Sequence, residues 1–192
     1  MEVALMTVAF LAVFGFGVYW VRRYYNKTKE LDEYITNLAE YNKDIQITLR
    51  KGLVARFGDA KAAETPWDFQ RFVARVVEGY CGGRAVVTPA NSDYGVDIRL
   101  ERDGELYLGH VKYCTEENVL GFQSVATIHS QIIKHKAKGG FVVTTSGFTP
   151  KARTYAKGLN IELIDGHRLV DMWVSVLQTQ VDASVLLTAK NA

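Results

Sequence analysis

Val96-Asp97-Ile98-Arg99-Leu100-Glu101-Arg102-Asp103-Gly104-Glu105-Leu106-Tyr107-Leu108-Gly109-His110-Val111-Lys112-Tyr113 reads as two alternating segments, Val96 to Glu101 and Glu105 to Tyr113, around an Asp-Gly pair. Alternation of apolar and polar residues is the pattern of a half-buried strand, and Asp-Gly between two such runs is a strong hairpin signal. With Asp103 and Gly104 as the two loop residues, positions whose numbers sum to 207 face each other. Asp97 is then opposite His110, and Lys112 is their diagonal neighbour on the same face. Directly opposed Cβ atoms lie about 5 Å apart and diagonal ones about 7 to 8 Å, so a carboxylate, an imidazole and an ammonium converge. Such a patch suits phosphodiester hydrolysis: an acid and backbone carbonyls can hold a cation that polarises phosphate, while a lysine offsets charge in the transition state. Geometry alone favours the plainer reading, ordinary polar residues on a half-exposed hairpin held by cross-strand charge pairing.

Outward from the hairpin, Thr65-Pro66 starts a helix, with a capping side chain followed by a residue whose missing N–H costs nothing there. Phe69, Phe72, Val73, Val76, Val77 and Tyr80 hold its apolar face up to Gly82 and Gly83, which leaves Glu78 with Arg71, Ala74 and Arg75 on the face taken to be solvated. Arg84 to Thr88 is a short strand and Pro89 to Gly95 a loop. Downstream come a helix over Phe122 to Lys138, a buried strand over Gly140 to Thr145, and a helix opened by Thr149-Pro150 and ending near Gly158. A strand over Ile161 to Ile164, a turn at Asp165-Gly166 and a helix over His167 to Leu177 follow. This order predicts an α/β architecture, one mixed sheet with helices on both faces.

The N-terminus carries a different signal. From Val3 to Val21 every residue is apolar except Thr7, Gly15 and Gly17, about the length needed to span a bilayer. Arg22, Arg23, Lys27 and Lys29 follow the run, no base precedes it, and Tyr19, Trp20, Tyr24 and Tyr25 fall where an aromatic belt would. The expectation is a single-pass anchor over residues 1–25 in a bacterial inner membrane, with the C-terminal domain cytoplasmic. A helical linker over 26–62 contains an amphipathic helix from about Thr28 to Phe57, with Leu31, Ile35, Leu38, Ile45, Leu49 and Leu53 on one face. That face either packs on its own domain or pairs two copies of the chain. The main domain covers 63–178, and a tail over 179–192 is left without a place.

Composition narrows the rest only a little. Lys and Arg total 23 against 21 for Asp and Glu, for a formal charge of +2, which permits a nucleic-acid partner without requiring one. Cys81 and Cys114 lie far apart with no His run beside them, so both are expected to be reduced thiols and not zinc ligands.

Ser92-Asp93-Tyr94-Gly95-Val96-Asp97-Ile98 resembles the D-x-G-x-D-[IL] signature of Mrr-type domains in the PD-(D/E)xK restriction-endonuclease-like superfamily, and Gly109-His110-Val111-Lys112-Tyr113 stands where their Q-x-K strand would be. Gly140 to Ala152 is similar to the second hallmark of that family, and Ile161 to Gly166 followed by Leu169 to its closing strand and turn; the likeness runs from about Thr65 to Trp173. The resemblance implies a divalent-metal-dependent DNA endonuclease using Mg²⁺ or Mn²⁺. Asp97 would be the metal-binding carboxylate, the Val111 carbonyl a further ligand, Lys112 the catalytic lysine, and Asp93 and Gly95 would shape the preceding loop. The sequence departs from the family at His110, where Glu or Gln is usual, and at Phe69-Gln70, where the first helix usually carries Phe-Glu. Those departures leave open a degenerate protein that keeps the fold and binds DNA or a protein partner. Lys134, Lys136 and Lys138, with His135, form a basic cluster that either touches DNA phosphates or complements a helix C-terminus. Thr144, Thr145 and Ser146 either meet phosphate or form a turn.

Overall fold

The computed structural model describes the backbone of residues 2–58, 65–89, 94–115 and 117–190, and within these ranges the side chains of 14–182. Asp93, expected to shape the loop before Asp97, lies outside the described residues.

Helix α1 runs from Glu2 to Gly58. The sequence suggested an anchor and a separate amphipathic helix, but no Pro or Gly stands between Gly17 and Gly52 to break it. The chain divides into two compact units between Ile45 and Gln46. In the first unit Leu31, Tyr34, Ile35, Leu38 and Tyr41 are exposed. Among the described residues no helix is long and apolar enough to cross a membrane. Much of the apolar run, residues 3–13, has its side chains outside that description.

The second unit begins with the end of α1. Leu53 is buried and Leu49 and Phe57 are partly buried in its core, with the Phe57 ring tilted against Phe69 at 5.1 Å and Phe72 at 5.7 Å, ring centre to ring centre. Helix α2 spans Pro66–Cys81 and opens on a capping box, Thr65 bonding to the Asp68 amide and the Asp68 carboxylate to the Thr65 amide. Its outer face differs in one respect from the sequence reading. Ala74 is buried, whereas Glu78 is exposed as expected and accepts a 2.7 Å hydrogen bond from the Ala85 amide.

Five strands follow: β1 (Arg84–Val87), β2 (Ile98–Arg102), β3 (Glu105–Lys112), β4 (Gly139–Thr144) and β5 (Ile161–Ile164), in the spatial order β1-β2-β3-β4-β5. The first three are antiparallel neighbours, and β3, β4 and β5 are parallel. The β2–β3 hairpin has the expected register, Ile98 opposite Gly109 and Arg102 opposite Glu105. Asp103 at φ 54° and Gly104 at φ 77° supply the two left-handed residues of a tight hairpin turn. Helix α3 (Phe122–His135) connects β3 to β4, α4 (Pro150–Ala156) connects β4 to β5, and α5 (Gly166–Lys190) closes the chain.

Two helix ends lie well away from where the periodicity put them, while the strand ends shift by no more than two residues. Helix α3 stops at His135, because Lys136 turns left-handed and the Lys138 amide pairs with the Leu106 carbonyl. Helix α5 does not stop near Leu177; with no Gly or Pro after Gly166 it runs through the unplaced tail to Lys190. The sheet separates two cores. One holds α2, α5 and the end of α1 with Ile98, Leu100, Val111 and Val143. The other holds α3 and α4 with Leu108, Val125, Ile128 and Val142. The result is the mixed α/β sheet flanked by helices that the element order predicted.

Candidate active site at the open end of the hairpin

Asp97 sits immediately before β2, and its backbone leaves the regular ladder. Its amide donates to the Gly109 carbonyl at 2.8 Å and its carbonyl accepts from the Thr88 amide at 2.9 Å. This anchoring from both neighbours aims the side chain across the end of the hairpin. There its carboxylate gathers three donors. The Gln70 side-chain amide reaches Oδ1 at 2.8 Å, the Val111 amide reaches Oδ2 at 2.7 Å, and His110 Nδ1 stands 2.9 Å from Oδ2. A carboxylate only accepts, so this contact places the proton of a neutral His110 on Nδ1 and leaves Nε2 as its basic atom. Asp97 and His110 are each about four-fifths buried, with side-chain exposures of 20% and 18%. Three hydrogen bonds in that setting fix the carboxylate plane without sealing it from solvent.

Gln70 comes from α2, on the other side of the sheet from α3, and is half-buried. The structure thus joins Asp97, His110, Gln70 and the backbone of Val111. The Val111 group that touches Asp97 is its amide. Lys112 is exposed. By strand alternation it projects to the same face as His110, into an open depression lined also by Asn118, Gln123 and Ser124.

The lysines of the basic cluster have three different surroundings. Lys138 pairs with Glu105 at 3.0 Å, at the opposite end of β3 from Lys112, and that partner holds its ammonium above the usual lysine range. Lys136 is exposed at the left-handed end of α3. Lys134 lies over the ring of Tyr94, 4.6 Å from its centre. Thr144, Thr145 and Ser146 are buried and bond to one another and to the segment after β3, which is the turn-forming alternative. Cys81 and Cys114 are free thiols. Tyr94 had no role in the sequence reading, and nothing in the Tyr-Gly pair signals a left-handed tyrosine; its φ of 44° comes from the structure.

A family model described as a restriction endonuclease, the Mrr catalytic type, matches residues 62–173. The chain belongs to this family. The Mrr-type assignment agrees with a curated relative, the type IV methyl-directed restriction enzyme EcoKMrr of Escherichia coli (strain K12), 32% identical over 117 residues. That match takes in 57% of this chain but 38% of the relative, so the chain corresponds to well under half of that enzyme. Among solved structures it is similar to the DNA modification-dependent restriction endonuclease AspBHI, with a TM-score of 0.54 at 20% identity over 77% of this chain and 40% of the other. It is also similar to the MspJI restriction endonuclease in complex with a 27-mer oligonucleotide, with a TM-score of 0.53 at 20% identity over 66% and 30%. These likenesses support the restriction-endonuclease-like PD-(D/E)xK fold.

Proposed function

We propose that this Mrr-type chain hydrolyses DNA phosphodiester bonds as a divalent-metal-dependent endonuclease held at the inner face of a bacterial membrane. The observation that carries the reading is the Asp97 carboxylate, oriented by Gln70, His110 and the Val111 amide beside the exposed Lys112.

Among the described residues there is no group of three His, Cys, Asp or Glu side chains that could hold a metal ion by themselves. Mg²⁺ does not require one. It commonly binds through one or two carboxylates and completes its shell with water and substrate phosphate, and Asp97 retains lone pairs beyond its three hydrogen bonds. Asp97 and the Val111 carbonyl would hold Mg²⁺ or Mn²⁺; the His110 imidazole at this position favours Mn²⁺. Such an ion supplies Lewis acidity at phosphate and a more acidic water.

The chain's own residues divide the remaining work. Gln70 keeps the carboxylate plane fixed. Lys112 offsets charge gathering on the phosphate oxygens. His110, its Nδ1 proton committed to Asp97, can accept a proton from water at Nε2.

The anchor rests on the apolar run from Val3 to Val21 and the four bases after it, with Tyr19, Trp20, Tyr24 and Tyr25 exposed on α1. Leu31 and Leu38, exposed seven residues apart, offer a seam for a homodimer. A second reading, a DNA-binding protein that no longer cuts, is favoured by the Gln70 amide, a neutral donor occupying Oδ1 of Asp97 where the family's acid would bring charge.

Supercoiled plasmid incubated with the full chain in mild detergent, with Mg²⁺ or Mn²⁺, tests both. Nicking that falls at least 10²-fold in Asp97→Ala, with DNA affinity within a few fold, supports the nuclease. Binding without cleavage, unchanged by Asp97→Ala, supports the second reading.

A further inference from the structure

Tyr94 combines features that packing does not explain. It is a non-glycine residue in the left-handed region, with φ at 44°, a conformation unfavourable for a bulky side chain. The residue is 79% exposed, so no burial repays that cost. The next residue, Gly95, has φ of 93°, and a Cβ there would come within 2.6 Å of the Thr127 methyl. The turn is therefore seated directly on α3. From the end of the same helix Lys134 places its ammonium 4.6 Å from the Tyr94 ring centre. Residues in sparsely populated backbone regions concentrate where a ligand is met.

Position adds to this. Tyr94 precedes Asp97 by three residues, so their Cα atoms are at most about 11 Å apart. With one base step per roughly 3.4 Å along a strand, that separation is about three nucleotides. A strand bound at Asp97 therefore needs no more than about three nucleotides to reach Tyr94, against whose ring Lys134 lies.

We propose that Tyr94 and Lys134 form a two-residue DNA contact beside the Asp97 site, the lysine pairing with a backbone phosphate and the tyrosine ring packing on the adjoining nucleoside. The inference rests on the DNA reading given above, but not on cleavage. Lys134 keeps N–H donors for an anion while lying on the ring, and a base or sugar finds on Tyr94 an aromatic surface already in place. Both act as positioning residues, setting where the strand lies relative to Asp97.

The test is binding of a labelled DNA duplex to the full chain in detergent and EDTA, followed by fluorescence anisotropy across a salt series. Tyr94→Ala is expected to weaken binding about ten-fold, as loss of one stacking contact does, and Tyr94→Phe to restore it to within about two-fold of wild type. Lys134→Gln should reduce the slope of log affinity against log salt by about 0.9, the signature of one lost phosphate contact. Tyr94→Gly separates function from folding, because glycine relieves the left-handed strain: it should melt no lower than wild type yet bind as weakly as Tyr94→Ala. Wild-type affinity in Tyr94→Ala and Tyr94→Gly, or an unchanged salt slope in Lys134→Gln, overturns the proposal while leaving the DNA reading intact. A wild-type chain that binds no DNA overturns both.

Discussion

The Gln70 side-chain amide donates a 2.8 Å hydrogen bond to Oδ1 of Asp97, joining α2 to the end of the β2–β3 hairpin. Replacing it with glutamate exchanges a donor for a second negative charge at the same distance. Gln70→Glu should therefore lose about 1–3 kcal/mol of stability in EDTA, from the lost bond and the new repulsion. Mg²⁺ or Mn²⁺ should return it, by about 2.7 kcal/mol at a hundred times Kd. Thermal melts with and without metal measure this, and a variant indifferent to both ions would exclude a cation at Asp97.

Lys112 and Lys138 make a controlled pair, one at each end of β3. Lys112→Ala should reduce cleavage at least 10²-fold, roughly 2.7 kcal/mol in the barrier, without moving the melting temperature, since the side chain is exposed. Lys138→Ala should cut at the wild-type rate, because that lysine is engaged with Glu105. Equal losses in the two variants would mean that the charge acts on DNA binding and not on the reacting phosphate.

The end of α1 belongs to the core of the second unit, so the minimal folding fragment starts at Gln46 and not after the linker. Residues 46–192 should give a cooperative melt, whereas 61–192, lacking Leu49, Leu53 and Phe57, should show a broad transition and bind hydrophobic dye. Leu53→Ala in the longer fragment should cost about 2–5 kcal/mol in denaturant titrations. If 61–192 melts as sharply and as high, the α1 contacts contribute nothing.

Burial, reinforced by Glu162, raises the Cys81 thiol above its ordinary value of 9.0. The folded chain holds this proton more tightly than the unfolded one. The associated stability is complete below about pH 9 and is lost as pH rises above it, where only the unfolded thiol ionises. At mildly alkaline pH, iodoacetamide should label Cys81 more slowly in the folded protein than in urea, read by peptide mass spectrometry, and Glu162→Gln should narrow the gap. Equal rates would contradict the shift.

For the anchor, a reporter active only in the cytoplasm should work when fused after Ala192, because four bases follow the apolar run and none precedes it. Leu11→Arg with Val13→Arg should release or destabilise the chain, each charge costing roughly 2.5–3.5 kcal/mol near the bilayer centre. A periplasmic reporter signal rules out the orientation.

The hairpin was legible in the sequence because Asp103-Gly104 leaves little freedom in the turn, and once the turn is set, period-two alternation fixes every ladder partner down to Ile98 and Gly109. The caps at Thr65 and Thr149 were legible for a similar reason: their chemistry is local. What sequence did not reveal was set by distant contacts. The end of α3 depends on Lys138 pairing with Leu106, the packing of Phe57 on Phe69 and Phe72, and the Gln70 bond to Asp97 on how α2 lies across the sheet. Lys134, Lys136 and Lys138 looked like one patch because they are adjacent in sequence. The left-handed turn at Lys136 and the Glu105 pair send them to different places.

Thr145 bonds through its hydroxyl to both the amide and the carbonyl of Cys114, at 2.9 and 2.6 Å, while Ser146 donates to the Asn118 carbonyl at 2.8 Å. The segment that leaves β3 after Lys112 is thereby splinted to the end of β4, and its shape is written partly in residues thirty positions away. Exchange of that segment between relatives should therefore succeed only as a cassette. A donor loop replacing Cys114 to Leu120 would need its own hydroxyls at 145 and 146, and natural variation in the two stretches is expected to travel together.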